Sequence, residues 1–292
     1  MEVVPGGVLG RDDDDLGAKV LGAAGRRIMK RIIYDFGANT GNDLPYYLKK
    51  ADVVVAVEAN PALCKSIESR FNSDLSAGRL HVENCVLTNG IETEVDFYID
   101  KRAHGGSRFP KPNDRVIDNF DKVKLPSLSP ASLVERYGEP FYIKIDVEFY
   151  DNVILRELFF NNIYPTFISA EAHSIDIFAL LVASGRYNAF KLVEGSSVAQ
   201  KYRKTPFISK DGVREVYSFT DDSAGPFGED IYGEWMTADN FFVLLALEGL
   251  GWKDIHATNL SEDKISRTRW KKVRITNYLF KRLKYKLRRI IT

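Results

Sequence analysis

From Ile32 onward the chain alternates between two apolar patterns. Short runs rich in β-branched residues, "RIIYDF", "DVVVAVEAN", "RLHVENCVL", "FYIKIDVE" and "PTFISAEAH", read as buried strands. Between them lie "NDLPYYLKK", "PALCKSIESRF", "SPASLVERYG" and "YDNVILRELFFNN", which read as helices. Pro45 and Pro61 are tolerated in a first turn, and Gly138 closes the third helix. Strands separated by helices of about ten residues predict an α/β fold: a mostly parallel central sheet with helices on both faces. "EVDFYID" alternates and predicts an added edge hairpin. After Ser174 the pattern predicts helices at "IDIFALLVASG" and "DNFFVLLALEGLG", and strands at "NAFKLVEG" and "WKDIHAT".

Composition narrows the class. An apolar share of 45 % in 292 residues is ordinary for a soluble globular core. No apolar run reaches the roughly 18 residues of a spanning helix. The first residues lack a basic segment followed by an apolar one, so no secretory signal is expected. Two cysteines, Cys64 and Cys85, make no disulfide framework and fit a cytoplasmic protein. Residues 1–28, with four consecutive aspartates from Asp12 to Asp15, read as a flexible leader, and Met29 as an alternative start. The main domain is expected over 29–264 and a basic amphipathic helix over 265–292.

That last segment holds the charge asymmetry. Eleven Lys or Arg and no acid lie between Arg267 and Thr292, so the net charge of +1 leaves −10 on the rest. At helical spacing Leu279, Phe280, Leu283, Leu287, Ile290 and Ile291 share an arc of about 120°, with cations around the remainder. Such a helix suits an anionic membrane surface, which would place the protein on the inner face of a membrane. The alternative is packing on its own domain with a solvated basic face. No aromatic-interleaved motif points to nucleic acid.

The chemistry begins at "DFGANTGND". Strand one ends near Asp35, and ligands of open parallel sheets sit beyond the carboxyl ends of the strands. Gly37 and Gly41 let the backbone approach a ligand, but their G-x-x-x-G spacing is not that of a pyrophosphate loop. Glu58, at the end of the second strand, is placed to accept hydrogen bonds from ribose hydroxyls. Asn84 and Cys85 end the third strand near where a base would lie, and Asp146 ends the fourth. Against this, the glycines could merely close a turn, Glu58 could be a solvated loop acid, and Cys64 and Cys85 could be small core residues.

"YDFGANTGND", "AVEANP", "ENCVL" and "FYIKIDVE", in this order and spacing, resemble the FkbM-type S-adenosylmethionine-dependent methyltransferases. The resemblance covers roughly Met29 to His173. It implies a Rossmann-like methyltransferase fold and O-methylation of a sugar hydroxyl in a glycan, glycolipid or glycosylated metabolite. It also implies S-adenosylmethionine at Asp35, Gly37, Ala38, Asn39 and Gly41 for the methionine part, Glu58 and Ala59 for the ribose, Asn84 and Cys85 for the adenine, and Asp146 beside them. One position departs: the family continues with glycine after "DVE", where this chain has Phe149.

A neutral hydroxyl is a poor nucleophile, so a base or a cation must help it. Asp146 and Glu148 share one face of an extended segment, and Glu171 and His173 another. His173 is the natural base, with Asp146 and Glu171 beside it, since an ordinary imidazole titrates near 6.5. Asp146 is the alternative base. The same four groups are also a ligand set for a divalent cation such as Mg²⁺. Two loops are expected to meet the acceptor. "KRAHGGSRFPKPN" supplies His104, Ser107 and Arg108, with Glu148 nearby; "DDSAGPFGEDIYGEW" supplies Asp230 and Trp235. Two other readings stay open: an NAD(P)-dependent oxidoreductase, and a non-catalytic membrane-associated scaffold with a nucleotide-binding fold.

Overall fold

The computed structural model describes residues 30–266. The expected leader and nearly all of the basic tail lie outside them. Ile265 and Ser266, where the expected tail helix would begin, form a short strand instead.

The first half follows the predicted alternation. β1 (Ile32–Phe36), α1 (Leu44–Lys50), β2 (Val53–Val57) and α2 (Pro61–Arg70) lead through a short α3 (Asn72–Ser76) to β3 (Leu80–Glu83). The third apolar run then breaks at Asn84–Cys85, and its second part, β4 (Val86–Leu87), leaves the main sheet. β5 (Glu94–Asp100) pairs antiparallel with β6 (Phe120–Leu128), whose other neighbour is β4. The expected hairpin therefore exists, but in a separate three-stranded sheet.

α4 (Pro130–Tyr137), β7 (Tyr142–Ile145), α5 (Asp151–Phe160), β8 (Phe167–Glu171), α6 (Ile175–Ala183) and β9 (Ala189–Glu194) continue the alternation. The remainder is α7 (Val198–Lys201), the antiparallel pair β10 (Thr205–Ile208) and β11 (Arg214–Tyr217), β12 (Trp235–Met236), α8 (Ala238–Glu248), β13 (Lys253–Thr258) and β14 (Ile265–Ser266). Asn60, Ser129, Ser174 and Thr237 cap α2, α4, α6 and α8, each accepting a backbone N–H with its side chain.

The main sheet runs β14-β12-β9-β13-β8-β7-β1-β2-β3. β8, β7, β1, β2 and β3 are mutually parallel, whereas β13 is inserted antiparallel between β8 and β9. β1, β2 and β7 are buried along their whole length, as strands covered on both faces must be. Their period of two splits the core. Tyr34, Phe36, Val55, Ile143 and Ile145 face the layer of α4, α5, α6 and α8. Ile33, Val54, Ala56 and Tyr142 face α1, α2 and the aromatic group of Tyr46, Tyr47 and Phe227. This is a Rossmann-like α/β fold. Among the described residues no helix is long and apolar enough to cross a membrane.

Candidate functional site

Strand order reverses at β1: the chain moves outward to β2 and β3, then lays β7 on the opposite side of β1. A ligand crevice belongs outside the carboxyl ends of strands at such a switch point. The structure has a cleft there, with about 690 Å³ of empty space partly open to solvent. Gly37, Asn39, Glu58, Ala59, Cys85 and Asp146 line it, and so do His104, Ser107 and Glu148. Sequence reasoning missed its apolar wall of Leu63, Val86, Leu87, Phe97 and Phe109, because nothing distinguishes these residues from core.

Gly37 has φ +83°, and a Cβ built on it would lie 1.7 Å from the Asp146 carbonyl oxygen. Glycine is thus required by the end of β7, not by a ligand. Gly41 (φ +72°) answers another need. A Cβ there would meet Leu44 Cδ1 at 2.9 Å and Ile67 Cγ1 at 3.0 Å, so Gly41 lets the turn pack on α1 and α2. It does not line the cleft, and neither do Asp35 and Ala38. Asn39 (φ +48°) holds the centre of the turn; its N–H donates to Glu58 Oε2 at 2.7 Å. The Asn39 Oδ1 atom is buried and has no hydrogen-bond partner.

The other oxygen of Glu58 accepts the Asn60 N–H, also at 2.7 Å. Burial pushes this carboxyl up to about 7, although the two N–H groups oppose the shift. Asn84, expected at the adenine, instead donates through Nδ2 to the carbonyls of Glu58 and Ala59 at 2.9 and 3.0 Å. It clamps the strand ends and is absent from the lining. Cys64 likewise donates to the Glu58 carbonyl from within the core.

Sequence reasoning also passed over Lys144. It is 4 % exposed in β7, and its Nζ donates to the Gly37 carbonyl at 3.0 Å. Asp35 Oδ1 lies 3.2 Å from it and Asp146 Oδ2 3.3 Å. Burial disfavours the ammonium, but Asp35, Asp146, Asp43 and Asp254 outweigh it and hold Lys144 charged. The signal was present in "YIKI", a lysine inside a fully buried strand.

Beyond Asp146 the cleft turns acidic. Asp146, Glu148 and Glu171 each offer an oxygen within 4.8 Å of the others. His173 Nε2 lies 2.7 Å from Glu171 Oε2 and 3.9 Å from Glu148 Oε2. The adjacent Glu171 carboxylate pushes the imidazole up to about 9, despite burial acting against the charge. A ring held toward its protonated form by Glu171 is a poorer acceptor for a proton than the free imidazole expected at His173. His173 and Glu171 are not among the residues that line the cleft. Burial, with Asp146 and Glu171 close by, pushes Glu148 up to about 7.

Glu148 and Phe149 have φ +49° and +66°, a left-handed pair at the position of the missing glycine. The Phe149 ring compensates by contact. It stacks on His173 at 4.7 Å and 24°, and the Arg108 guanidinium lies 4.7 Å from its centre. Arg108 thus reaches the site through Phe149.

No protein-family model matches the chain, and no curated protein matches it. Among solved structures, a methyltransferase FkbM from Methylobacillus flagellatus KT aligns at 14 % identity and TM-score 0.38, over 56 % of this chain and 40 % of its own. The chain therefore spans under half the length of that protein. A SAM-dependent O-methyltransferase from Thermotoga maritima aligns at 8 % identity and TM-score 0.34, over 82 % of this chain and 62 % of its own. A SAM-dependent methyltransferase from Aquifex aeolicus aligns at 12 % and 0.30, over 56 % and 76 %. These values are too low to carry an activity from those proteins to this chain.

Two expected acceptor residues are not brought to the cleft. Asp230 accepts from Tyr46 Oη at 2.6 Å and Lys50 Nζ at 2.7 Å, which ties its loop to α1. Trp235 lies in β12, its ring 4.5 Å from Lys191 Nζ and its Nε1 donating to Glu229 Oε2 at 3.3 Å. It lines a separate groove with Lys191, Glu229 and Tyr232. The loop after β5 does reach the cleft. Its Ser107 Oγ accepts the Asp100 N–H at 3.1 Å, which fixes the segment bearing His104.

Proposed function

We propose that the chain is an S-adenosylmethionine-dependent O-methyltransferase acting on a sugar hydroxyl. The observation that carries this reading is Asn39 Oδ1, a buried acceptor without a partner, in a turn that borders the same cleft as Glu58. An amino-acid ammonium supplies the missing donor, and Glu58 has lone pairs left for ribose hydroxyls. β1 lies between β2 and β7, so Glu58 and Asp146 are about 10 Å apart by strand spacing, a nucleoside's reach. Leu63, Val86, Leu87 and Phe97 give a base its apolar slot.

Bound there, the cofactor would supply an electrophilic methyl group on a sulfonium that leaves as a neutral thioether. Glu148 and Asp146 face the same space and receive the hydroxyl proton as the oxygen–carbon bond forms. His104 and Ser107 close the acceptor side. The sugar class rests on the resemblance and on this polar rim. An oxidoreductase fits less well. A dinucleotide's pyrophosphate needs a helix N-terminus, and that of α1 carries the buried carboxyl of Asp43.

Calorimetry with S-adenosylmethionine and S-adenosylhomocysteine tests the proposal. Binding is expected, and Glu58→Gln is expected to weaken it about 10- to 100-fold, the loss of a charge-assisted hydrogen bond. Because Glu58 titrates at about 7, its acceptor form prevails above that pH. Affinity should therefore be higher at about pH 8 than at about pH 6, a difference the Gln variant abolishes. Absence of binding by the parent, or equal binding by the variant, would overturn the assignment; methyl transfer to a sugar panel then tests the acceptor.

A further inference from the structure

Trp252 stands immediately before β13, which runs antiparallel to β8, so it lies at the same end of the sheet as Asp146. Backbone bonds fix its surroundings. The Ala172 N–H donates to the Lys253 carbonyl at 2.7 Å, and the Ala172 carbonyl accepts the Gly251 N–H at 3.0 Å. Trp252 therefore sits beside Ala172, next to His173. On the other side, the Gly195 N–H donates to the Trp252 carbonyl at 3.1 Å. The indole lies against Gly195: a Cβ built there would meet Trp252 Cε2 and Nε1 at 2.4 Å. Gly195 is outside the left-handed region, so room for the ring, not backbone conformation, requires a glycine here.

Trp252 is nevertheless 50 % exposed, and other apolar residues of this rim are exposed with it: Leu250 and Ile175 at 45 %, and Phe149, stacked on His173, at 57 %. A ring held in place yet half in water is a contact surface ready for a partner. The chain on either side of Gly195 is polar. Glu194 and Ser196 are both exposed, and the Glu194 carboxylate receives a long 3.5 Å contact from Ser196 Oγ, so it keeps lone pairs for further donors. An aromatic ring with hydroxyl partners close along the chain suits a sugar; an acyl chain would leave those partners unused. β8 separates β13 from β7, so Trp252 and Asp146 are about 10 Å apart by strand spacing, farther than one sugar ring spans. Asp146 thus stands between Glu58 on the cofactor side and Trp252 on the other. We infer that the acceptor carries at least two sugar rings: one presents its hydroxyl at Asp146 and Glu148, and the next stacks on Trp252. The place of the first ring rests on the O-methyltransferase reading; the stacking of a sugar on Trp252 does not.

The test is fluorine NMR on the full chain labelled with fluorotryptophan, in which the Trp252 resonance is the one missing from Trp252→Phe. The probes are glucose, galactose, mannose and rhamnose, a disaccharide built from each, and octanol in place of an acyl chain, all with and without S-adenosylhomocysteine. At least one disaccharide is expected to shift the Trp252 resonance and leave that of the buried Trp235 unmoved, while its monosaccharide at equal concentration shifts neither. Trp252→Ala should weaken that disaccharide about 5- to 10-fold, and Trp252→Phe, which keeps a ring, about 2-fold. Melting temperatures confirm that both variants fold. A Trp252 resonance silent to every saccharide, an equal response to the monosaccharide, a response to octanol alone, or unchanged disaccharide affinity in Trp252→Ala would overturn the inference. Disaccharide contact without S-adenosylhomocysteine binding keeps the stacking site and removes the methyltransferase reading; S-adenosylhomocysteine binding with a silent Trp252 removes only the stacking site.

Discussion

Gly37→Ala is expected to destabilise the protein by more than about 4 kcal/mol, or to prevent folding. A Cβ 1.7 Å from the Asp146 carbonyl oxygen meets backbone, which no rotamer change can relieve. The +83° φ adds about 1–2 kcal/mol for any L side chain. Gly41→Ala is the control. Its φ is similar, but its Cβ meets the ends of Leu44 and Ile67, which can yield by a few tenths of an ångström. A loss of roughly 1–2 kcal/mol is expected there. Urea titration of the three proteins decides. A Gly37→Ala unfolding free energy within about 1 kcal/mol of the parent would show that the strand end moves freely, contrary to the packing described.

Lys144→Met carries the second large effect. It leaves Asp35, Asp43, Asp146 and Asp254 without their shared buried cation, and breaking such a partnership costs about 3–5 kcal/mol. The loss should depend on pH, with a fixed sign. Asp35 and Asp254 are already raised by burial, and Asp43 is raised to about 6. Removing the ammonium raises them further, so the variant binds protons more tightly when folded. Its deficit is therefore largest at about pH 8 and shrinks as pH falls through about 6. Thermal unfolding of both proteins at the two pH values measures this. An equal deficit at both would mean that lost packing, not charge, dominates.

The elements were legible because their apolar periods differ. β1, β2, β7 and β8 fall within the predicted runs, as do α1, α2, α4 and α5, whereas the short α3 lies outside them. Pairing was less so. Nothing in "WKDIHAT" announces that β13 runs antiparallel between β8 and β9, since a strand's neighbours are chosen by tertiary contact. β6 and β10 contain prolines, Pro126 and Pro206, which weakened their patterns. At the site, Glu58 and Asp146 were readable as acids at strand ends. The reasons for Gly37, Asn84 and Lys144 were not, because each answers to backbone from a distant part of the chain. Asp230 and Trp235 mislead for the opposite reason: a polar, aromatic loop has the composition of a binding surface even when its groups are spent on internal bonds.

The acidic wall beside Gly37 has one more consequence. On the proposed reading it distinguishes the cofactor from what the cofactor becomes. The sulfonium is cationic and the thioether neutral, so, without a metal ion among them, three carboxylates that outnumber Lys144 and His173 hold the first more tightly than the second. Spent cofactor would then inhibit weakly and leave readily, and turnover would be protected from its own product. The ratio of the two dissociation constants, taken above about pH 7 where Glu148 is ionised, reads this directly. A product bound more tightly than the sulfonium would count against it.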